Sequence, residues 1–431
     1  MNELVVAGAG VGSLSDEVRD AVSKADIICA SERFRNLVPE GKRYIPLRNI
    51  DAALDAIANE SGRAVILVSG DPGVYSLLPL VKRRFQNVRV LPGVSSLQVL
   101  CAYAGESWSD AVILSGHGRV LNVGRFLNLV ERNRLVILFC DRHNSPQWAC
   151  EKLAEISTPL FPPLSWGTAS SPAKGRPEGV YCVSSGVNVV IGENLGSDSE
   201  RILSGNPEDF ANHESPELSL MLVRNSSPFV PVNTHPRDSE FVRAEGVVMT
   251  SESVRAVILA RLNMRRDSVL WDIGAGTGSI SVCAGLESPE SEIHAVECRP
   301  EAVKVIAQNA AKFHLHSIAI HEGRALDVVS KLPVPSHVFI GGSGGELAGI
   351  LEHIAGLRES VKVVAACVTL ETFTAAHTIM KDWRDFEALQ VSVSESKSVS
   401  ELSTLMKPRC PVVILSALSE QKFSACKKFT R

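Results

Sequence analysis

Apolar residues recur along this chain in short, nearly continuous runs separated by stretches with helical spacing, the pattern of buried strands alternating with crossover helices. Up to about Arg224 the strand-like runs include Ala64 to Val68, Val88 to Val90 and Leu218 to Val223. Residues 225–236, Asn-Ser-Ser-Pro-Phe-Val-Pro-Val-Asn-Thr-His-Pro, then hold three prolines and no periodicity, and read as a linker. Beyond it, apolar runs at 268–273, 292–297, 318–321, 336–340, 361–367, 388–393 and 411–416 have the regularity of a doubly wound sheet. Between the second and third, Pro300 can open a helix that puts Val303, Ile306, Ala307 and Ala310 on one face. The expected architecture is therefore α/β throughout, with domains at 1–224 and 237–431 joined by 225–236. The two halves are not repeats of each other.

Composition narrows the class. The 431 residues suffice for two or three domains, and 45% hydrophobic with 21% charged residues is ordinary for a globular protein. Met1 to Val6 lacks the basic start of a signal peptide, and no uncharged apolar run approaches the ~18 residues that span a bilayer. A cytoplasmic enzyme with no membrane partner is expected. The ten cysteines include no Cys-x-x-Cys pair, and Cys101, Cys140 and Cys367 lie inside apolar runs, so neither a disulfide framework nor a metal site is expected. A net charge of −4 supplies no field for a phosphate backbone and argues against a nucleic-acid partner.

The most informative stretch is 270–278, Leu-Trp-Asp-Ile-Gly-Ala-Gly-Thr-Gly, with Glu297 closing the next apolar run. A buried strand enters a glycine turn that leaves room for a ligand, and the following helix starts with free N–H groups. Glu297 is spaced to accept the hydroxyls of a ribose. A dinucleotide fingerprint would need glycine at 279, where Ser279 stands. The pattern Asp-x-Gly-x-Gly-x-Gly instead resembles motif I of the class I S-adenosylmethionine (SAM) methyltransferases.

Three further blocks accompany it: Val-Val-Met-Thr-Ser-Glu-Ser-Val-Arg at 247–255, Phe-Ile-Gly-Gly-Ser-Gly-Gly at 339–345 and Val-Thr-Leu-Glu-Thr at 368–372. Together they resemble the C-15 methylating, decarboxylating domain of corrinoid biosynthesis over about Arg237 to Leu418. That resemblance implies cofactor contacts from Thr250, Asp272, Gly274, Ala275, Gly276, Thr277 and Gly278, a ribose contact from Glu297, and an adenine turn at Gly323, Arg324 and Ala325. The family's usual Gly-Asp-Ala is here Gly-Arg-Ala, and an arginine cannot accept a hydrogen bond from the adenine amino group. Gly341, Gly342 and Ser343 would hold substrate, with Ser343, Glu346 or Glu371 as catalytic candidates; both glutamates are equally readable as solvated helix-end charges.

The first half has its own glycine blocks: Gly8-Ala-Gly-Val-Gly12, Ser69-Gly-Asp-Pro-Gly-Val-Tyr75 and Leu91-Pro-Gly-Val-Ser-Ser-Leu97, each after a strand. The last two are similar to blocks of the tetrapyrrole (corrin/porphyrin) methylase family, a different SAM-binding fold of two α/β subdomains. Ser115-Gly-His-Gly-Arg119 and Gly192-Glu-Asn-Leu-Gly196 resemble its C-5 corrin methylating branch. The resemblance covers about residues 1–224 and implies cofactor contacts from Gly8, Gly10, Gly70, Asp71, Val74, Tyr75, Ser95 and Ser96. Where the family commonly has Gly-x-Gly-Pro-Gly this chain has Val11, which loosens the loop without removing its glycines.

The order of the halves resembles a fused corrinoid methyltransferase family. It implies one SAM per domain, methylation of a precorrin-type tetrapyrrole at C-5 and C-15, and decarboxylation of its C-12 acetate in cobalamin biosynthesis, by a homo-oligomer. A polyanionic macrocycle needs cationic contacts, for which His117, Arg119, Arg243 and Arg255 are candidates; each is also readable as an ordinary loop or surface residue. Two other readings stay open. One is an RNA or diphthine-type methyltransferase, the other a fusion in which one half is degenerate and regulatory.

Overall fold

The computed structural model describes residues 3–118, 120–157, 186–400 and 403–419. The chain divides into two compact units, Met1–Leu121 with Asn133–Pro228, and Asn122–Arg132 with Phe229–Arg431.

Unit 1 holds two five-stranded sheets. The first runs in the order Arg43–Pro46, Ile27–Ala30, Arg63–Val68, Glu3–Gly8, Val88–Leu91, and every neighbouring pair is parallel. Its central strands are apolar on both faces, because each face is covered: Leu4, Val6 and Ile66 pack on one side, Val5, Ala7, Val65 and Leu67 on the other. The second sheet, Val112–Ser115, Leu135–Phe139, Ser219–Asn225, Val187–Glu193, Arg201–Gly205, has one parallel pair and is otherwise antiparallel. Helix Ser96–Ala104 lies on it through Leu97, Leu100 and Cys101. A Ser95/Gln98 capping box starts that helix and left-handed Gly105 ends it.

Unit 2 is built on a seven-stranded sheet ordered Ile318–Glu322, Glu292–Glu297, Val269–Ile273, His337–Ile340, Lys362–Cys367, Val412–Leu418, Arg384–Val391. The first five are parallel and the last two antiparallel to their neighbours. Chain order reverses between Val269–Ile273 and His337–Ile340, which opens a crevice beyond the strands' carboxyl ends. Alternate residues of the central strand face opposite cores. Leu270 joins helices Glu252–Leu262, Ser279–Glu287 and Pro300–Lys312, while Trp271 and Ile273 join Ala325–Val329, Leu347–Ala355 and Leu370–Met380.

The mixed α/β architecture expected from the apolar runs is present in both units. Four local features differ from expectation. Helix Pro300–Lys312 buries Ala302, Val305, Ile306, Asn309 and Ala310, a face rotated from the expected one, and Val303 and Ala307 are only half-buried. The rotation is set by Asn309, whose amide binds both the N–H and the carbonyl of Val242 and the carbonyl of Thr277. A polar hairpin, Ser394–Ser400 with Ser403–Pro408, adds two strands that carry no apolar alternation. Helix Val123–Arg132 belongs to unit 2, where Asn128 bonds the Ser317 hydroxyl and the His316 N–H, and the Glu131 carboxylate lies between His314 and His316. Burial opposes charge on Glu131, but the two imidazoles prevail and bring its carboxyl down to about 2. Cys298 and Cys410 are exposed, unlike the other described cysteines.

Among the described residues there is no disulfide, no group of three or more potential metal ligands, and no helix long and apolar enough to cross a membrane.

Candidate functional site

Each unit gathers its glycine blocks at the carboxyl edge of a parallel sheet. In unit 2, strand Val269–Ile273 ends at Gly274, whose φ of +70° favours glycine and whose absent Cβ leaves room for the Gly342 backbone. Gly276, at φ +57°, lies equally close to the Val248 carbonyl, which also accepts from Thr277 N at 3.1 Å. The N–H groups of Gly341 and Gly342 donate to the Ile273 carbonyl at 2.9 and 3.3 Å. Segment 247–250, motif I and the glycine-rich loop thus converge around one turn.

Two carboxylates sit beneath that turn. Glu297 Oε2 accepts from Gly276 N at 2.9 Å, and Oε1 accepts from the N–H groups of Cys298 and Arg299. Burial raises its pKa, but the Gly276 and Arg299 N–H donors and the Arg299 guanidinium outweigh it and hold the carboxyl below the usual range. Asp272 is fully buried. One oxygen accepts from Ser281 N at 3.1 Å and Ser281 Oγ at 2.5 Å; the other, with the buried Thr277 hydroxyl, has no hydrogen-bond partner. Desolvation pushes Asp272 up to about 6, against the Ser281 bonds and with help from Glu297. These orphaned buried polar atoms, beside a turn that a Cβ would obstruct, mark bonding that the protein itself does not complete and fit a polar ligand at this turn.

The other unit 2 candidates separate. Arg255 is buried: its guanidinium reaches the carbonyls of Thr250 and Pro236 and the Asp238 carboxylate, and stacks on Phe241. It straps segment 236–250 in place rather than facing a ligand. Arg243 is exposed and donates to the Asp238 carbonyl. Gly323 donates to the Glu297 carbonyl, Arg324 stands at the N-cap position of helix Ala325–Val329 without a side-chain bond to it, and the Arg324 side chain reaches Glu346, the residue before helix Leu347–Ala355. Ser343 is half-buried. Glu371 stands exposed in the first turn of helix Leu370–Met380, lining a shallow groove with Ala348, Thr374 and Thr378. Val248, Val368 and Leu370 are exposed apolar side chains in segments at this edge.

In unit 1 the loops after Glu3–Gly8, Arg63–Val68 and Val88–Leu91 meet so tightly that a Cβ on Gly8 or Gly93 would collide with the Gly70 carbonyl. Gly10 N donates to the same carbonyl. Asp71 ties two of the loops together, Oδ1 accepting from Gly73 N at 2.7 Å and Oδ2 from Gly93 N at 3.2 Å. Val74 is half-buried, while Tyr75 adopts φ +44° and donates its hydroxyl to the Ile113 carbonyl in the second sheet at 2.6 Å. The Ser95 hydroxyl is spent on its helix cap, whereas Ser96 is half-buried in the first turn. His117 lies exposed in the Gly116–Gly118 turn, and Arg119 falls outside the described residues.

Sequence reasoning missed the groups that pin these loops. Asp141 and Asn144, in Cys-Asp-Arg-His-Asn after strand Leu135–Phe139, hold the His117 turn: Asp141 accepts from Gly118 N at 2.9 Å and Asn144 donates to the Gly116 carbonyl at 2.7 Å. Burial disfavours the Asp141 charge, but the N–H groups of Asn144, Gly118 and His143 keep its pKa below the ordinary value. An Asp-x-x-Asn spacing after an apolar run was the available signal.

Comparison with known proteins gives the following matches. A family model described as "Precorrin methyltransferase domain" matches residues 241–419, and one described as "Tetrapyrrole (Corrin/Porphyrin) Methylases" matches residues 3–169. The chain is 26% identical over 372 residues to a decarboxylating precorrin-6Y C(5,15)-methyltransferase of Sinorhizobium sp, covering 84% of this chain and 83% of that protein. It is 38% identical over 183 residues to a probable cobalt-precorrin-6B C(15)-methyltransferase (decarboxylating) of Pyrobaculum calidifontis, covering 42% of this chain and 93% of that protein. A crystal structure titled precorrin-6y C5,15-methyltransferase from Geobacter metallireducens aligns with TM-score 0.40 and 33% identity, covering 43% of this chain and 97% of that one.

Proposed function

The chain belongs to the family of decarboxylating precorrin-6Y C(5,15)-methyltransferases, and from that premise we propose that each half holds its own SAM and serves a different carbon of one macrocycle. The protein is a SAM-dependent methyltransferase of cobalamin biosynthesis that methylates a precorrin and decarboxylates it. We assign C-5 transfer to residues 1–224, apart from the helix Val123–Arg132 that packs in unit 2, and C-15 transfer with loss of the C-12 acetate carboxyl to 237–431. The observation that supports this division is the presence of two separate glycine turns, each at the carboxyl edge of its own parallel sheet.

When bound, SAM supplies a methyl group already activated on a sulfonium. The protein's own task is then alignment and exclusion of water rather than covalent catalysis. In unit 2, Gly274 to Gly278 would cradle the cofactor, the unsatisfied Asp272 oxygen and the Thr277 hydroxyl would face its polar end, and Glu297 would take the ribose. Gly341, Gly342 and Ser343 would hold the macrocycle's edge, with exposed Val248, Val368 and Leu370 offering apolar contact to a flat ring. In unit 1, Gly8, Gly10, Gly70, Asp71 and Ser96 would surround the second cofactor, and His117 would meet the substrate. Arg243 remains available to a substrate carboxylate, and assembly into a homo-oligomer in the cytoplasm is part of the same proposal.

Product analysis tests the division of labour. Wild-type protein should add two methyl groups and remove one carboxyl. Asp71→Arg, which breaks both backbone bonds to that side chain and places a cation in the loop, should yield a decarboxylated product with a single new methyl at C-15. If Asp71→Arg stopped C-15 transfer in the folded protein, independent sites would be excluded.

The pKa of Asp272 yields a second expectation. A carboxyl raised from 3.8 to about 6 contributes stability in its neutral form, fully present below the unfolded value and lost as pH rises through the folded one. In the SAM-free protein this loss is about 3 kcal/mol between those two values. Asp272→Asn should therefore gain stability relative to wild type as pH climbs from about 4 to 6, with no further gain above 7. Thermal melts of both proteins across this range check it, and a constant difference between them would contradict the assignment.

A further inference from the structure

The loop at 341–345 is held differently at its two ends. Its first half is fixed by the Gly341 and Gly342 N–H groups on the Ile273 carbonyl. In its second half, Gly344 and Gly345 have φ of +55° and +89°, and a Cβ on either would meet open space, so no packing surrounds them. The loop then closes in a turn, Glu346 N donating to the Ser343 carbonyl at 2.9 Å. From there the Glu346 side chain reaches Arg324, whose Nε and Nη2 both approach Oε1 at 2.7 Å.

Arg324 follows strand Ile318–Glu322 and Glu346 follows His337–Ile340, two strands separated in the sheet by Glu292–Glu297 and Val269–Ile273. The pair therefore joins the two loops that bracket the motif I turn. Helices Ala325–Val329 and Leu347–Ala355, which begin at these residues, touch where Leu326 meets Gly349. The Arg324 side chain is 64% exposed and that of Glu346 18%, so the pair adds little to folding stability. Its two N–H groups converge on the one oxygen Oε1, and this charge-assisted contact sets a direction, which is what a loop without packing lacks.

We propose that Arg324 and Glu346 form a latch that positions the Gly341–Gly345 loop, and with it Ser343, against the methyl acceptor during C-15 transfer. This rests on the assignment of C-15 transfer to unit 2. Both are positioning residues: Glu346 is committed to Arg324, and the guanidinium is turned to the glutamate.

The test uses full-length Arg324→Ala, Glu346→Gln and the exchanged pair Arg324→Glu/Glu346→Arg. Steady-state kcat and KM for C-15 transfer are measured with C-5 transfer on the same protein as internal control, alongside SAM dialysis. Each single substitution should lower kcat at C-15 by about tenfold through mispositioning, with C-5 transfer unchanged and SAM affinity altered by no more than about twofold. The exchanged pair should recover most of the loss. Unchanged C-15 kcat in both single variants, or no recovery in the exchanged pair, would overturn the latch. Gly276→Arg run in parallel separates two failures. If it retained C-15 transfer, the assignment of the reaction to unit 2 would fall and the latch with it; if it lost transfer while both single variants stayed normal, only the latch would fall.

Discussion

Gly276→Arg is expected to abolish C-15 methylation and decarboxylation while leaving C-5 methylation in place. Gly276 sits at φ +57°, its Cα faces the Val248 carbonyl with no room for a Cβ, and its N–H is bound to Glu297. An arginine there strains the backbone, pushes segment 247–250 outward and fills the space proposed for SAM. The expected fall in C-15 transfer is about a thousandfold or more, equivalent to about 4 kcal/mol of lost cofactor binding. Product mass spectrometry reads it directly, and the accumulating species should keep its acetate carboxyl. Normal decarboxylation in this variant would separate that step from the unit 2 cofactor turn.

The second large effect concerns stability. Arg255→Met should destabilise unit 2 by about 3 kcal/mol, the scale for removing one partner of a buried ion pair. The cost has identifiable parts: the carbonyls of Thr250 and Pro236 lose their donor, Asp238 loses its cation at 19% side-chain exposure, and Phe241 loses the guanidinium stacked on it. Because Arg255 ties down the segment that brings Val248 and Thr250 to the turn proposed for the cofactor, SAM affinity should fall with it. Asp238→Asn keeps both carbonyl bonds but leaves the buried guanidinium without its counter-charge, and should cost a comparable amount. Urea unfolding followed through unit 2 measures both, and a loss below about 1 kcal/mol for Arg255→Met would contradict the strap.

Much of the fold was legible because parallel strands buried on both faces must be nearly continuously apolar, and Ala64 to Val68 or Val363 to Cys367 can hardly be anything else. The glycine blocks were legible for a related reason: backbones that approach as closely as Gly8, Gly70 and Gly93 exclude every side chain. The groups that support these loops were not. Asn309 drew no attention in the sequence, yet it is buried because its amide satisfies three backbone groups. Arg255 read as a candidate for a substrate carboxylate because a lone arginine carries no mark of its partners, which lie 5 to 19 residues away. The membership of helix Val123–Arg132 in unit 2 depends on pairs such as Asn128 with Ser317, 189 residues apart, a separation no local pattern encodes. The hairpin at Ser394–Ser400 escaped because its strands are largely polar, and the described side chains at 394–398 and 404–408 are all exposed, so periodicity reveals no buried face.

The departure at Arg324 was visible as an arginine where an acceptor was expected, but its consequence required the structure. The guanidinium turns to Glu346 and so removes that glutamate from the candidates for free proton transfer, leaving Glu371 exposed at the groove. Val11, the other departure, packs against Gly196 within unit 1, so the loop that lost a proline regains support from Gly192-Glu-Asn-Leu-Gly196.

Equilibrium dialysis of the full-length protein with SAM tests the central claim most directly, alone and with Gly276→Arg and Asp71→Arg. Two independent cofactor sites predict two SAM bound per wild-type chain and one in each variant. A single site in the wild type, or a wild-type stoichiometry retained in either folded variant, would contradict the account.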